Sequence, residues 1–305
     1  MSEPHDALLE ELRPSAFSIA YRMLGSVAEA EDVVQEALLR FHAALERGER
    51  IESPRAYVAT VATRLSIDVL RSARVRRESY VGEWLPEPLV SPESPDDPAR
   101  HAELADSLSL AFLVLLESLS PEQRAAFLLH DVFDYGYGEV AEIVGKSEDN
   151  TRQLAARARR HVEEQKPRFE ASREEREELA QRFFAAAREG DLAGLEALLA
   201  EDVVLHGDGG GKVPALARAL FGARRVARTL RAWFRQGAKL PDTEIREVDV
   251  NGQPGAILTV GGGVVSVMAL DIADGRIQAI NSIVNPDKLA HVGEVADLAE
   301  LLRRA

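Results

Sequence analysis

The chain has 305 residues, 46% of them apolar, which is too long for one small core and suits two or three compact units. It has no cysteine, so disulfides, thiol chemistry and cysteine zinc sites are excluded and a reducing cytoplasm is the expected setting; its acidic start, MSEPHDALLEELR, lacks the apolar segment of a secretion signal, and no run approaches the ~18 apolar residues of a membrane span. The formal net charge of −14 argues against a protein that coats nucleic acid by itself, because neutralising phosphates takes Lys and Arg.

Helices come first, over residues 5–77. DALLEELRPSAFSIAYRMLGS places Leu8, Leu12, Ile19 and Leu24 at helical spacings. SVAEAEDVVQEALLRFHAAL opens on Ser26 with Glu29 three residues on, the reciprocal capping pattern of a helix start. There Asp32 and Glu36 stand at i, i+4 with Gln35 beside them, an acidic face suited to a basic partner or simply to water. SPRAYVATVATRLSIDVLRSARVRR is a third long helix with Pro54 in its first turn. Residues 53–77 hold six arginines against one acid, Asp68. Arg64, Arg71 and Arg74 share a face, where cations would hold phosphates and Asp68 would accept from an exposed base edge. Tyr57 would stack on an unpaired base or fill the core.

The sign then reverses. Residues 78–104 carry seven acids against Arg100, and GEWLPEPLVSPESPDDPAR at 82–100 holds five of the 14 prolines. No helix survives that density, so the stretch reads as an extended acidic linker.

Helices resume over 102–166, with Ser120-Pro121-Glu122-Gln123 as one start. YGEVAEIVGKSEDNTRQLAARARR then gives a short helix around Val140–Val144, a turn at Gly145-Lys146 and a second helix capped by Ser147. Val140, Ala141, Val144, Thr151, Leu154, Ala155 and Ala158 form one apolar face, while Asn150, Arg152, Gln153, Arg157 and Arg160 point elsewhere. This is the grammar of a helix-turn-helix, with base-reading side chains early in the second helix and cations further along; a plain helical hairpin with a basic face has the same pattern.

From about residue 173 the texture changes. Two helices (EELAQRFFAAARE and DLAGLEALLA), a strand at Val203–His206 and a helix, GARRVARTLRAWFRQ, precede strand-like runs at 244–250, 255–260, 263–270 and 276–284. Asn-Gly and Asp-Gly turns separate the runs, so the region reads as an α+β meander. Within LHGDGGGKVPA the glycines suggest a phosphate loop, but G-x-x-x-x-G-K-[ST] fails: His206 stands at the first glycine, Val213 at the hydroxyl position, and Pro214 follows. Close backbone approach at Gly209, Gly210 and Gly211 is the reading that is left, with Lys212 charging a neighbouring surface. Its expected partners are Glu83 and Glu87 of the linker, with Trp84 as a flat anchor. Asp202, His206, Asp208 and Asp271 are available for acid–base work, but no spacing picks out a pair, and nothing calls for a metal or cofactor. Asn285-Pro286-Asp287 reads as a turn before a helical tail, HVGEVADLAELLRRA, expected to brace the last domain against the helical ones.

The ordered set of motifs resembles the extracytoplasmic-function class of bacterial RNA polymerase sigma factors. AEAEDVVQEALLRFHAAL is similar to the sigma-2 helix that binds core polymerase, and RAYVATVATRLSIDVLRSARVRR to the segment that meets the promoter −10 element. YGEVAEIVGKSEDNTRQLAARARR is similar to the sigma-4 unit that reads the −35 element, departing from it at Lys146. WLPEP (Trp84, Leu85, Pro86, Glu87, Pro88), DGGGK (Asp208, Gly209, Gly210, Gly211, Lys212) and NPDKL (Asn285, Pro286, Asp287, Lys288, Leu289) resemble the signature of the subgroup with a fused SnoaL-like domain.

The resemblance implies two all-α sigma domains plus an α+β, cone-shaped domain of the SnoaL and ketosteroid-isomerase type. Their expected limits are 1–80 for sigma-2, 81–103 for the linker, 104–168 for sigma-4 and 173–305 for the SnoaL-like domain. It implies core-polymerase contacts at Asp32, Gln35 and Glu36, −10 contacts at Tyr57, Arg64, Asp68, Arg71 and Arg74, and −35 contacts at Ser147, Asn150, Arg152, Gln153, Arg157 and Arg160. The partners implied are core RNA polymerase and promoter DNA, with a small molecule in the SnoaL-like cone left open, no separate anti-sigma factor and no catalysis. In this class the linker threads into polymerase channels, and the fused domain would regulate in cis. Two other readings remain: a ligand-sensing helix-turn-helix regulator that binds DNA without polymerase, and an isomerase- or cyclase-like enzyme with a DNA-binding anchor.

Overall fold

The computed structural model describes residues 3–77, 80–91, 108–164 and 172–304; linker residues 92–103 and the side chain of Arg74 lie outside the described residues. The chain divides into two compact units, Met1–Ser79 with Leu115–Lys166 and Tyr80–Val114 with Pro167–Ala305.

The first unit is helical. α1 (Glu3–Leu24), α2 (Val27–Glu46) and α3 (Pro54–Arg77) pack pairwise. Ser26 caps α2 by accepting from the Glu29 amide at 3.2 Å. The stripe Ala30, Val33, Val34, Ala37, Phe41 and Ala44 is buried, as helical spacing requires. After α4 (Leu110–Leu116), Ser120 and Gln123 form a reciprocal cap on α5 (Pro121–Phe127), which runs on as a wider π turn at Leu128–Val132. α6 (Tyr137–Val144) ends at Gly145, whose φ of 69° lies in the left-handed region glycine tolerates. Ser147 then accepts from the Asn150 amide and starts α7 (Glu148–Glu163).

α3 packs against α5 and α6, so the two helical groups share this unit. Arg124 of α5 is buried and donates to the Met23 and Leu116 carbonyls, both at 2.6 Å, while pairing with Glu117 at 2.9 Å. Burial pulls its guanidinium down to about 9. Arg22 is also buried, over the Phe133 ring, and burial brings it to about 10.

The second unit is built on a seven-stranded sheet in the order β1-β4-β5-β6-β7-β2-β3. Its strands are β1 (Val90–Ser91), β2 (Leu199–Asp208), β3 (Leu220–Phe221), β4 (Thr243–Val250), β5 (Gln253–Val260), β6 (Gly263–Ala273) and β7 (Arg276–Ile283). Pairing is antiparallel except between β2 and β7. Asn251-Gly252 and Asp274-Gly275 have positive φ throughout, the geometry of two-residue hairpin turns.

Alternation along the strands makes two apolar faces. One holds Leu205, Ala256, Leu270, Ile272 and Ile280 under α8 (Arg173–Glu189), α9 (Leu192–Leu198) and α10 (Ala223–Gly237). The other holds Val248, Val250, Ile257, Val267, Ala269 and Ile283. Leu85 of the linker, Leu110 and Val114 of α4, and Leu289, Val292 and Val295 of the tail cover that second face. β1 belongs to the linker: Val90 and Ser91 pair with Val250 and Asp249 at the sheet edge. The described part of the linker is thus packed on the α+β fold and is not a free extended strand. Its prolines are confined to the stretch before an edge strand, where missing N–H groups cost no ladder bond. A final helix, α11 (Leu298–Arg304), closes the chain.

Candidate functional site

In the first unit, the residues assigned to DNA split by availability. Asn150, Arg152, Gln153, Arg157 and Arg160 are exposed along α7, while Thr151, Ala155 and Ala158 are buried beneath them. Ser147 is used as the cap. Arg152 lies over the Tyr137 ring of α6 at 4.5 Å and pairs with Glu148 one turn earlier on α7. On α3 the picture differs. Arg64 donates to the carbonyls of Glu142 and Ile143 at 2.8 and 3.0 Å, the unsatisfied C-terminal end of α6. Arg71 pairs with Glu122 at 2.6 Å and with Asp68 at 3.4 Å. Against the upward push of partial burial, the Arg71 hydrogen bond holds the Glu122 carboxyl below its ordinary range. Two cations expected to hold −10 phosphates are therefore occupied, Arg64 by the end of α6 and Arg71 by Glu122 of α5 and by Asp68. Tyr57 is half-buried against Phe41, with ring centroids 5.7 Å apart, so it faces the core.

On α2, Asp32 and Gln35 are exposed and Glu36 pairs with Arg40 at 2.7 Å. Leu39, 56% exposed, lies three residues after Glu36 on the same side. Sequence reading missed it; an exposed leucine beside carboxylates is visible only once burial is known.

In the second unit the three short motifs converge. Asp208 is fully buried at the end of β2, and its carboxylate is surrounded by donors from three chain segments. Tyr80 Oη donates to it at 2.6 Å, the Leu85 amide at 2.9 Å, the Gly210 amide at 3.0 Å and Lys288 Nζ at 2.7 Å. Lys288, 6% exposed, also donates to the Leu85 carbonyl and lies over the Tyr80 and Trp84 rings at 5.1 and 4.3 Å. Asn285 Nδ2 donates to Tyr80 Oη at 2.9 Å, and the Asp208 carbonyl accepts from the amides of Val284 and Asn285. Burial, then the adjoining carboxylate, pushes the Tyr80 hydroxyl well above its ordinary range. Leu85, Pro86, Glu87 and Pro88 are buried, and His291 bonds the Pro88 carbonyl at 2.7 Å.

Gly210 has φ of 59°, and a Cβ there would stand 2.4 Å from Asn285 Nδ2, which is why the backbone needs glycine. A Cβ on Gly209 would meet the Val213 carbonyl at 2.5 Å, and one on Gly211 would meet Val81 at 2.9 Å.

Lys212 is where expectation and structure part. It pairs with Asp287 at 2.5 Å on the surface, not with the linker. Glu83 is taken instead by His206 at 3.2 Å. The cation that grips the linker is Lys288, whose butyl stem reaches into the buried site; Lys212 sits past the tight Gly209–Gly211 turn, with Asp287 nearer at hand. Pro286–Lys288 forms a 3₁₀ turn capped by Asn285, which aims Lys288 inward and Asp287 outward.

The remaining acid–base candidates do not assemble. A cavity of about 660 Å³ lies under the helices, lined by Phe184, Trp233, Leu258, Met268, Leu298 and Leu302 among others; Arg188 is its one charged wall residue. Asp271 bonds Asn281 Nδ2 at 2.7 Å on the opposite face of β6 and β7, where burial raises it to about 6. Among the described residues, no cluster of three His, Asp or Glu could hold a metal, and no helix is long and apolar enough to cross a membrane.

Residues 8–76 match the Sigma-70 region 2 model, 109–162 the Sigma-70 region 4 model and 180–280 the SnoaL-like domain model. The chain is 40% identical to the ECF RNA polymerase sigma factor SigJ of Mycobacterium tuberculosis (strain ATCC 25618 / H37Rv), covering 92% of this chain and 91% of that one. It is 30% identical to the ECF RNA polymerase sigma factor SigG of the same strain, over 89% and 78%. The crystal structure of M. tuberculosis extracytoplasmic function sigma factor SigJ superposes with a TM-score of 0.74 at 36% identity, over 93% of this chain and 98% of that one. With a full-length relative at 40% identity and both sigma regions matched in order, the chain belongs to the extracytoplasmic-function RNA polymerase sigma factors, in the form that carries a C-terminal SnoaL-like domain.

Proposed function

We propose that this sigma factor is restrained in cis, its fused domain holding the linker between the two DNA-reading regions. The observation that carries the reading is the buried Asp208–Lys288 pair, which closes over the backbone of Leu85. A linker gripped there is not free to enter polymerase. The occupation of Arg64 by α6 and of Arg71 by Glu122 of α5 supports the same resting state, because neither can meet −10 phosphates while so bound.

With the linker released, the residues that sequence assigns to recognition, most of them already exposed on α2 and α7, engage polymerase and promoter together. Arg152, Asn150 and Gln153 read base edges at the −35 element, and Arg157 and Arg160 hold phosphates. Asp32, Gln35 and Glu36, with Leu39 as an apolar anchor, dock on core polymerase. The SnoaL-like domain acts as a regulator and not as a catalyst, and the protein works in the cytoplasm. In support, the relatives this chain matches over most of its length are RNA polymerase sigma factors.

The test is run-off transcription with core polymerase and the full chain. Promoter-specific transcripts should appear, and Lys288→Met should raise their yield. Specific DNA binding by the isolated chain without polymerase-dependent transcription would favour a free-standing regulator instead.

A further inference from the structure

The helix Ala223–Gly237 carries a feature that neither sigma regions nor motifs account for. Its sequence, ARRVARTLRAWFRQG, buries Val226, Ala227 and Leu230 against the sheet. Arg224, Arg228, Arg231 and Arg235 recur at four, three and four residues, so at 3.6 residues per turn they fall within an arc of about 60° and extend along about 16 Å of helix. Arg224, Arg228 and Arg235 are exposed and Arg231 is half-buried. Among the described residues none of the four has an ion-pair partner. In a chain of net charge −14 with 51 acids, four aligned arginines left unpaired are not the average outcome of surface composition.

We propose that this helix face binds the phosphates of duplex DNA upstream of the −35 element. The inference rests on the chain's acting as a sigma factor at promoters. Arginine presents a planar fork that meets phosphate oxygens two at a time, which suits phosphate better than a mere surface cation does. Duplex DNA carries a charge every ~1.7 Å of axis, so a 16 Å stripe faces a continuous row of them. The stripe has no large apolar side chain of its own, which a protein-binding patch would need at its centre. In chain order the domain that carries the stripe directly follows the −35-reading helix, nine residues separating Glu163 from Arg173.

The experiment uses holoenzyme assembled from core polymerase and the full chain. The probe is a promoter selected from a random-sequence library by wild-type holoenzyme, placed on duplexes ending about 5 or about 30 base pairs upstream of the −35 element. With Arg224, Arg228, Arg231 and Arg235 all changed to Gln, affinity for the long duplex should fall roughly tenfold or more. The slope of log K against log salt should become shallower by about 3. Affinity for the short duplex should not change, and the four-Lys variant should recover most of the loss. No loss on the long duplex overturns the proposal. Equal loss on both duplexes also overturns it, assigning the face to polymerase. A wild-type holoenzyme that selects no promoter at all would instead remove the sigma reading beneath it.

Discussion

Lys288→Met tests the clasp most directly. Methionine keeps the unbranched stem and the apolar contact with Trp84 and Tyr80, while the ammonium is lost. Asp208, with none of its surface exposed, then keeps only three donors, Tyr80 Oη and the amides of Leu85 and Gly210. Removing one member of a buried ion pair costs about 3–5 kcal/mol, because the remaining charge stays buried without its partner. The surviving donors hold the cost near the low end, at about 3 kcal/mol. The Leu85 carbonyl loses its donor in the same step. A cost of that size weakens linker docking by about a hundredfold. Hydrogen exchange read by mass spectrometry over residues 80–91 should lose protection by that factor. The melting temperature should fall by roughly 6–12 °C, at about 2–4 °C per kcal/mol for a unit of this size. Changing Asp208 to Asn in the same chain removes the stranded charge and should recover part of the loss. Protection within threefold of wild type in Lys288→Met, or a double variant no better than the single one, would refute a clasp held by this pair.

Lys212→Ala, which removes an exposed pair with Asp287, should change stability by under about 1 kcal/mol, whereas Gly210→Val forces a side chain into Asn285 and should undock the linker in the same exchange measurement. Asp271 has a folded pKa of about 6, above its ordinary value, so it destabilises the fold once the pH passes ~4 and most fully above 6. Asp271→Asn should therefore add about 2–3 kcal/mol at pH 7.5 and nothing at pH 3.5 in paired denaturant melts, and a pH-independent effect would contradict this. Glu122→Ala leaves Arg71 its longer contact with Asp68 at 3.4 Å and does not touch α3. It should strengthen holoenzyme binding to a −10 single strand by no more than about fivefold in anisotropy titrations, since a half-exposed pair is weak.

The sequence was most legible where the physics is local. Gly145 and Ser147 mark the end of one helix and the start of the next, and both do so in the fold. Asn251-Gly252 and Asp274-Gly275 mark hairpins for the same reason, since few residues accept positive φ. Pairings across long separations were not legible. Nothing near Lys212 reveals that Asp287 is its partner, or that Lys288, 203 residues beyond Leu85, is the cation that grips the linker. The two-residue strand Val90–Ser91 is hidden by neighbouring prolines and exists only because β4 offers an edge. Leu39 and the arginine stripe of α10 required burial and ion-pair partners to be known before they stood out.

The clasp also has a consequence in time. Leu85 emerges from the ribosome 203 residues before Lys288. At ~5–20 residues per second, the 125 residues from the end of the recognition helix at Glu163 to Lys288 leave an interval of about 6–25 s in which both DNA-reading regions have been made and the residue that fastens their linker has not. Every new molecule passes through an unfastened stage, and any product that stops short of Lys288 stays in it. Synthesis that stalls late, or a protease that trims the tail, would therefore yield an unrestrained factor from the same gene, with no inducer involved.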